Sequence, residues 1–123
     1  MQTNETMPKK VTLEMIESEI AVEHYFTAAD GVERARAAEG FKADPRGSLC
    51  RLTFCVMLMK NGFSVTGESA CVDPAEFNAE LGRKIARQNA INKAWALMGY
   101  ELSSKREAAC KRQFAKDFEG DML

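Results

Sequence analysis

Glu68 is the residue best placed for acid–base chemistry. It stands mid-strand between Thr66 and Ser69 in a run that also carries Cys71. A carboxylate on a half-buried sheet face can serve as a general base or anchor a ligand. The plainer reading is a strand glutamate paired with Arg51 or with another chain. No glycine-rich phosphate loop accompanies it, and the sole histidine, His24, lies far away in sequence. No catalytic residue is therefore assigned, and the chain reads as a non-enzyme. Cys50, Cys55, Cys71 and His24 are ligand types that zinc accepts, but a hairpin register turns Cys55 away from Cys50 and Cys71. No C-x-x-C pair is present, so these three and Cys110 read as reduced thiols, with neither metal nor cofactor expected.

Two further sets fall within one helical stretch. Arg83, Lys84 and Arg87, with Lys93 beyond them, form the basic cluster, which could meet phosphates or simply face solvent. Gln88, Asn89 and Asn92 lie in or beside an apolar stripe. There an unbonded amide costs about 1–3 kcal/mol, so they must bond the sheet backbone, line a pocket or meet a second copy. Ala79, Ala90 and Ala94 would let another backbone approach closely. A homodimer is the expected state.

The elements that position these residues are legible in part. Thr12 is a candidate N-cap for a helix over 13–23, with Leu13, Ile16 and Ile20 on one face. His24 to Thr27 reads as a short strand, and 30–47 as a surface excursion with one helical turn around 32–38. Strands are predicted over 49–60 and 63–72. They are joined by Asn61-Gly62 as a two-residue type I′ turn, in which both central residues need positive φ. That turn pairs Leu58 with Val65 and Val56 with Gly67. It places Leu52, Phe54, Val56, Leu58 and Val65 on the core face. The other face would then carry Arg51, Cys55, Met57 and Met59 opposite Thr66 and Glu68, too apolar for bare solvent and too polar for a core. Asp73, Pro74 and Glu76 supply an N-cap, a first-turn proline and a capping-box acid for a long helix over 74–98, with Gly99 just past its end. At about 100° per residue, Phe77, Leu81, Ile85, Ile91 and Trp95 form the stripe expected to dock on the sheet. Ser104 and Glu107 would start a further helical segment reaching Phe118.

The fold class that follows is α+β: a helix, a three-stranded antiparallel sheet with a type I′ hairpin, a long helix on one sheet face and a C-terminal helical extension. Residues 1–10 read as a flexible tail, 11–102 as one domain and 103–123 as the extension. The 123 residues suit one core. Apolar content of 46% and charged content of 28% are those of a globular protein. The longest apolar run, Cys55 to Met59, is too short for a bilayer span or a secretory signal, so no membrane association and a cytoplasmic location are expected. The formal net charge of −1 supplies no global field towards nucleic acid or anionic lipid.

Three stretches carry a resemblance: H-Y-F-T-A-A-D-G-V at 24–32, L-T-F-C-V-M-L-M-K-N-G-F-S-V-T-G-E-S-A-C-V at 52–72 and F-N-A-E-L-G-R-K-I-A-R-Q-N-A-I-N-K-A-W-A-L-M-G-Y at 77–100. Over residues 12–102 the chain resembles the small bacteriophage proteins typified by gene forty-nine of N4-like and gene sixty-six of Sf6-like phages. The family's tryptophan-proline-leucine run reads Trp95-Ala96-Leu97 here, which lets the helix continue further. The resemblance implies a phage accessory protein acting in the host cytoplasm, in host takeover or anti-defence. The expected function is non-enzymatic binding of a host protein or small host ligand through Arg51, Met57, Met59, Thr66, Glu68, Arg83, Arg87, Asn89 and Lys93. The alternative is a nucleic-acid-binding module using the basic helix flank. Its element order, helix, three strands and helix, is that of double-stranded-RNA-binding domains.

Overall fold

The computed structural model describes residues 7–122, with side chains as far as residue 118. The expected tail falls partly on residues 1–6, outside the described residues. Thr12 caps α1 (Leu13–Ser18) by accepting from Met15 N at 3.2 Å. α1 is shorter than the sequence suggests, because the chain turns at Glu19 into β1 (Ile20–Thr27). A capping box at Thr27 and Asp30 starts α2 (Ala28–Ala35), so the surface excursion is more helical than expected. β2 (Leu52–Met59) and β3 (Ser64–Ala70) complete one antiparallel sheet in the order β1-β2-β3.

The hairpin turn differs from the predicted one, with large consequences. Met59 N donates to Phe63 O at 2.8 Å and Gly62 N to Met59 O at 2.9 Å, so three residues form the loop. Gly62 has φ +89, whereas among the described residues no non-glycine residue has positive φ, so Asn61 does not take the conformation that type I′ requires. A type I turn followed by a left-handed glycine is the usual three-residue solution. The Asn61 side chain favours it by accepting from Phe63 N at 3.0 Å. The extra loop residue slips the register by one: Leu58 pairs with Ser64, Met57 with Val65, Cys55 with Gly67 and Phe54 with Glu68.

On β2 the core face is the opposite of the predicted one, whereas Val65 of β3 is buried as expected. Thr53, Cys55, Met57, Met59, Val65 and Gly67 are buried beneath α3 (Ala79–Met122). Leu52, Phe54, Val56 and Leu58 face the other way. On the helix, Gly82, Ala86, Ala90 and Ala94 are buried, while Leu81, Ile85 and Trp95 are exposed. Small residues win because the helix lies almost against the β3 backbone. A Cβ at Gly67 would collide with Ala86 O and Ala90 N and come within 3.0 Å of Ala90 Cα. A Cβ at Gly82 would lie 3.0 Å from Thr53 Oγ1. Backbones this close leave no layer for leucine or tryptophan. α1 closes one side through Ile16, fully buried with Ile91 and Ala94.

The long helix begins later and ends later than predicted. Asp73 does cap, accepting from Ala75 N at 3.0 Å, but the capped element is a 3-10 turn over Pro74–Glu76. Phe77 is extended (φ -66, ψ 127) and breaks that turn. Asn78 then starts α3, accepting from Leu81 N at 3.1 Å. α3 runs 44 residues without a break, so Gly99 is an interior residue and the C-terminal segment is its continuation.

Candidate functional site

The sheet face away from α3 is built from three-residue rows across the strands. Val22, Leu58 and Ser64 form one row, His24, Val56 and Thr66 the next, and Phe26, Phe54 and Glu68 a third. The Phe26 and Phe54 rings sit 5.6 Å apart. α2 lies at that end, where a Cβ on Gly31 would be 3.8 Å from the Phe26 ring. The other two rows lie open among the described residues: Val22 is 41% exposed and Leu58 38%. The result is an apolar strip edged by His24, Thr66, Ser64 and Glu68.

Of the expected site residues, this face unites only Thr66 and Glu68. Met57 is fully buried and Met59 nearly so, and neither stands on this open face. Glu68 stands opposite Phe54 rather than Cys55. Arg51 is a brace: its Nε donates to Cys71 O at 2.8 Å and its Nη1 to Arg46 O at 2.6 Å, tying the loop before β2 to the end of β3. Asn89 also works on the scaffold, donating from Nδ2 to Glu68 O at 2.8 Å. Ala90 and Ala94, expected to admit another backbone, are buried under the sheet instead.

The basic cluster divides. Arg83, Lys84 and Lys93 are exposed, but Arg87 is held by acids. Its Nε meets Glu23 Oε1 at 2.9 Å and its Nη2 meets Glu17 Oε2 at 3.2 Å. Tyr25 Oη donates to the same Glu23 Oε1 at 2.6 Å. The Arg87 hydrogen bond holds the Glu23 carboxyl below its usual range, against the opposing effect of burial. Burial, then the Glu23 bond, push the Tyr25 phenol up, and burial raises the Cys55 thiol beside it. This network pins the outer strand and α1 to α3. Sequence reasoning missed Glu17, Glu23 and Tyr25, since residues 64 and 70 positions from Arg87 carry no local signal of the contact.

Neither His24 nor the Glu68 carboxylate has a side-chain hydrogen-bond partner among the described residues, so no acid–base pair is assembled. Among the described residues no group of three His, Cys, Asp or Glu could hold a metal ion. Cys55 is buried, Cys50 and Cys71 half-buried and Cys110 exposed. A groove of ≈ 230 Å³ opens beside the hairpin tip, lined by Met59, Phe63, Val65, Leu97 and Met98 with Glu19 and Glu101 at its rim. No helix among the described residues is long and apolar enough to cross a membrane.

Residues 11–106 match the phage protein family described as N4 Gp49/phage Sf6 gene 66. The chain belongs to that family. The N4 Gp49/Sf6 gene 66 match takes in α1, the whole sheet and α3 as far as Arg106, so the open sheet face and the Glu23–Arg87 network both lie inside it. The expected family resemblance is thereby established. Neither a curated protein nor a solved structure matches the chain.

Proposed function

We propose that this phage protein is a non-enzymatic binding protein that docks its open sheet face on a host protein in the cytoplasm of the infected cell, in host takeover or anti-defence. The observation carrying this reading is the pair of uncovered rows, Val22-Leu58-Ser64 and His24-Val56-Thr66. Apolar area left in water forgoes about 25 cal/mol per Å² of burial, and contiguous patches rimmed by polar groups mark interaction sites. Arg87 is neutralised by two glutamates, which weakens the nucleic-acid reading of the helix flank. A second reading, a small ligand, draws on the groove beside Phe63 and Met98, whose two rim glutamates would suit an apolar molecule with a cationic end.

The test is affinity capture from host lysate with the wild-type chain, a Val22→Asp/Leu58→Asp chain and an Arg83→Glu/Lys93→Glu chain. The expected result is one host protein retained by the wild type and the helix variant and lost from the sheet variant. Retention lost only from the helix variant, with salt-sensitive binding to RNA or DNA, replaces this reading with the nucleic-acid one.

A further inference from the structure

The solvent side of α3 carries a regular pattern. Leu81, Ile85, Gln88, Asn92, Trp95 and Gly99 follow one another at alternating steps of four and three residues, the spacing of a coiled-coil seam. They lie on the side of the helix opposite Ala86 and Ala90, which face the sheet. Leu81 is 53% exposed, Ile85 43% and Trp95 36%, so among the described residues large apolar side chains on this face are left open to solvent. Further along the helix the chain's own N-terminal segment arrives, with Arg106 Nη2 donating to Pro8 O at 2.7 Å. The open seam therefore ends near Gly99.

We propose that this seam is a homodimer interface in which two α3 helices pack antiparallel about a two-fold axis near Ala90. The seam is self-complementary in that direction. Reversal about residue 90 sets Ile85 against Trp95 of the partner subunit, Leu81 against Gly99 of the partner subunit, and Gln88 against Asn92 of the partner subunit. Large residues thus meet smaller ones, and Leu81 finds a glycine notch. Gln88 Nε2 already donates to Asn92 Oδ1 at 2.9 Å within one helix, leaving Gln88 Oε1 and Asn92 Nδ2 free to pair across the axis. A polar layer inside an apolar seam sets register and orientation. A parallel pair would instead place Trp95 on Trp95, leave a void at Gly99 and bring the two Lys84 charges together. In the antiparallel pair those charges stand about 18 Å apart, beyond the Debye length of about 8 Å in physiological salt. Five helical turns bury less than a standard interface, so the dimer dissociates on dilution. The proposal concerns the helix and not the sheet face, so it stands or falls separately from the proposed function.

Trp95 is the sole tryptophan and sits in the seam, which makes it a direct reporter. Sedimentation of the full chain is expected to show a mass that doubles with concentration, with acrylamide quenching of Trp95 falling in step. Ile85→Glu should remain monomeric at every concentration with an unchanged circular dichroism spectrum, while Val72→Ser, altered at a 92% exposed loop site, should dimerise as wild type does. For orientation, Ile85→Cys and Trp95→Cys chains, each also carrying Cys110→Ser, are oxidised alone and mixed. The expected product is a disulfide between the two variants in the mixture only. A wild-type chain that stays monomeric at high concentration, or a folded Ile85→Glu chain that still dimerises, overturns the interface. Homodisulfides from each variant alone overturn the antiparallel arrangement.

Discussion

Gly67 has no side chain because the α3 backbone occupies the space where one would be. Ala86 O and Ala90 N crowd that point, and both are main-chain atoms that cannot step aside as a flexible side chain would. Gly67→Ala is therefore expected to destabilise at the upper end of the about 1–3 kcal/mol typical of overpacking, or beyond it, read from the denaturant midpoint. Glu23 makes a different prediction. Its folded pKa is depressed by Arg87, so its stabilising contribution is present above the unfolded value near 4.5 and disappears as pH falls through the lower folded one. Glu23→Gln removes that pH dependence. The wild type should lose melting temperature more steeply than the variant below pH 4.5, and parallel acid profiles would refute the network's role.

At the scale of elements, the start of α3 shows two caps in succession. Asp73 serves a 3-10 turn and Asn78 the helix proper, because extended Phe77 separates them. Asn78→Ala should cost about 0.5–2 kcal/mol, more than Asp73→Ala, since only Asn78 satisfies an amide of the helix that covers the sheet. Thermal melts of the two variants decide it, and the opposite ranking would place the effective cap at Asp73. The hairpin illustrates the same dependence on one residue. A loop of three in place of two gives each β2 residue a different β3 partner, and a one-residue slip flips one strand's faces relative to the other's.

For the whole molecule, the testable distinction is between the two sides of the sheet. Met57 is fully buried beneath α3, while its neighbour Leu58 is 38% exposed on the open face. Met57→Asp puts an unpaired charge in the core and should abolish cooperative folding. Leu58→Asp should alter stability by no more than about 0.5 kcal/mol, as other surface substitutions do. Equal damage from both would mean that the open face is covered within the monomer. The extension of α3 past Leu102 is mostly exposed apart from Ala109 and carries pairs such as Lys105–Glu101 and Lys111–Glu107, each a surface contact of small energetic weight.

The α+β class, the three strands, the Thr12 cap and the turn at Gly62 were determined by the sequence alone, because each rests on residues a few positions apart. Faces and register were not. β2 is apolar on both sides, Leu52-Phe54-Val56-Leu58 against Cys55-Met57-Met59, so alternation cannot choose between them. α3 likewise offers a stripe of large residues and a stripe of small ones. Tertiary structure chose the small stripe because Gly67 lets the helix backbone come into contact with β3, and only Ala86, Ala90 and Gly82 fit at that distance. Once the helix sat there, register put Cys55 opposite Gly67 in the core. It also left Leu58, Val22, Ile85 and Trp95 facing outward.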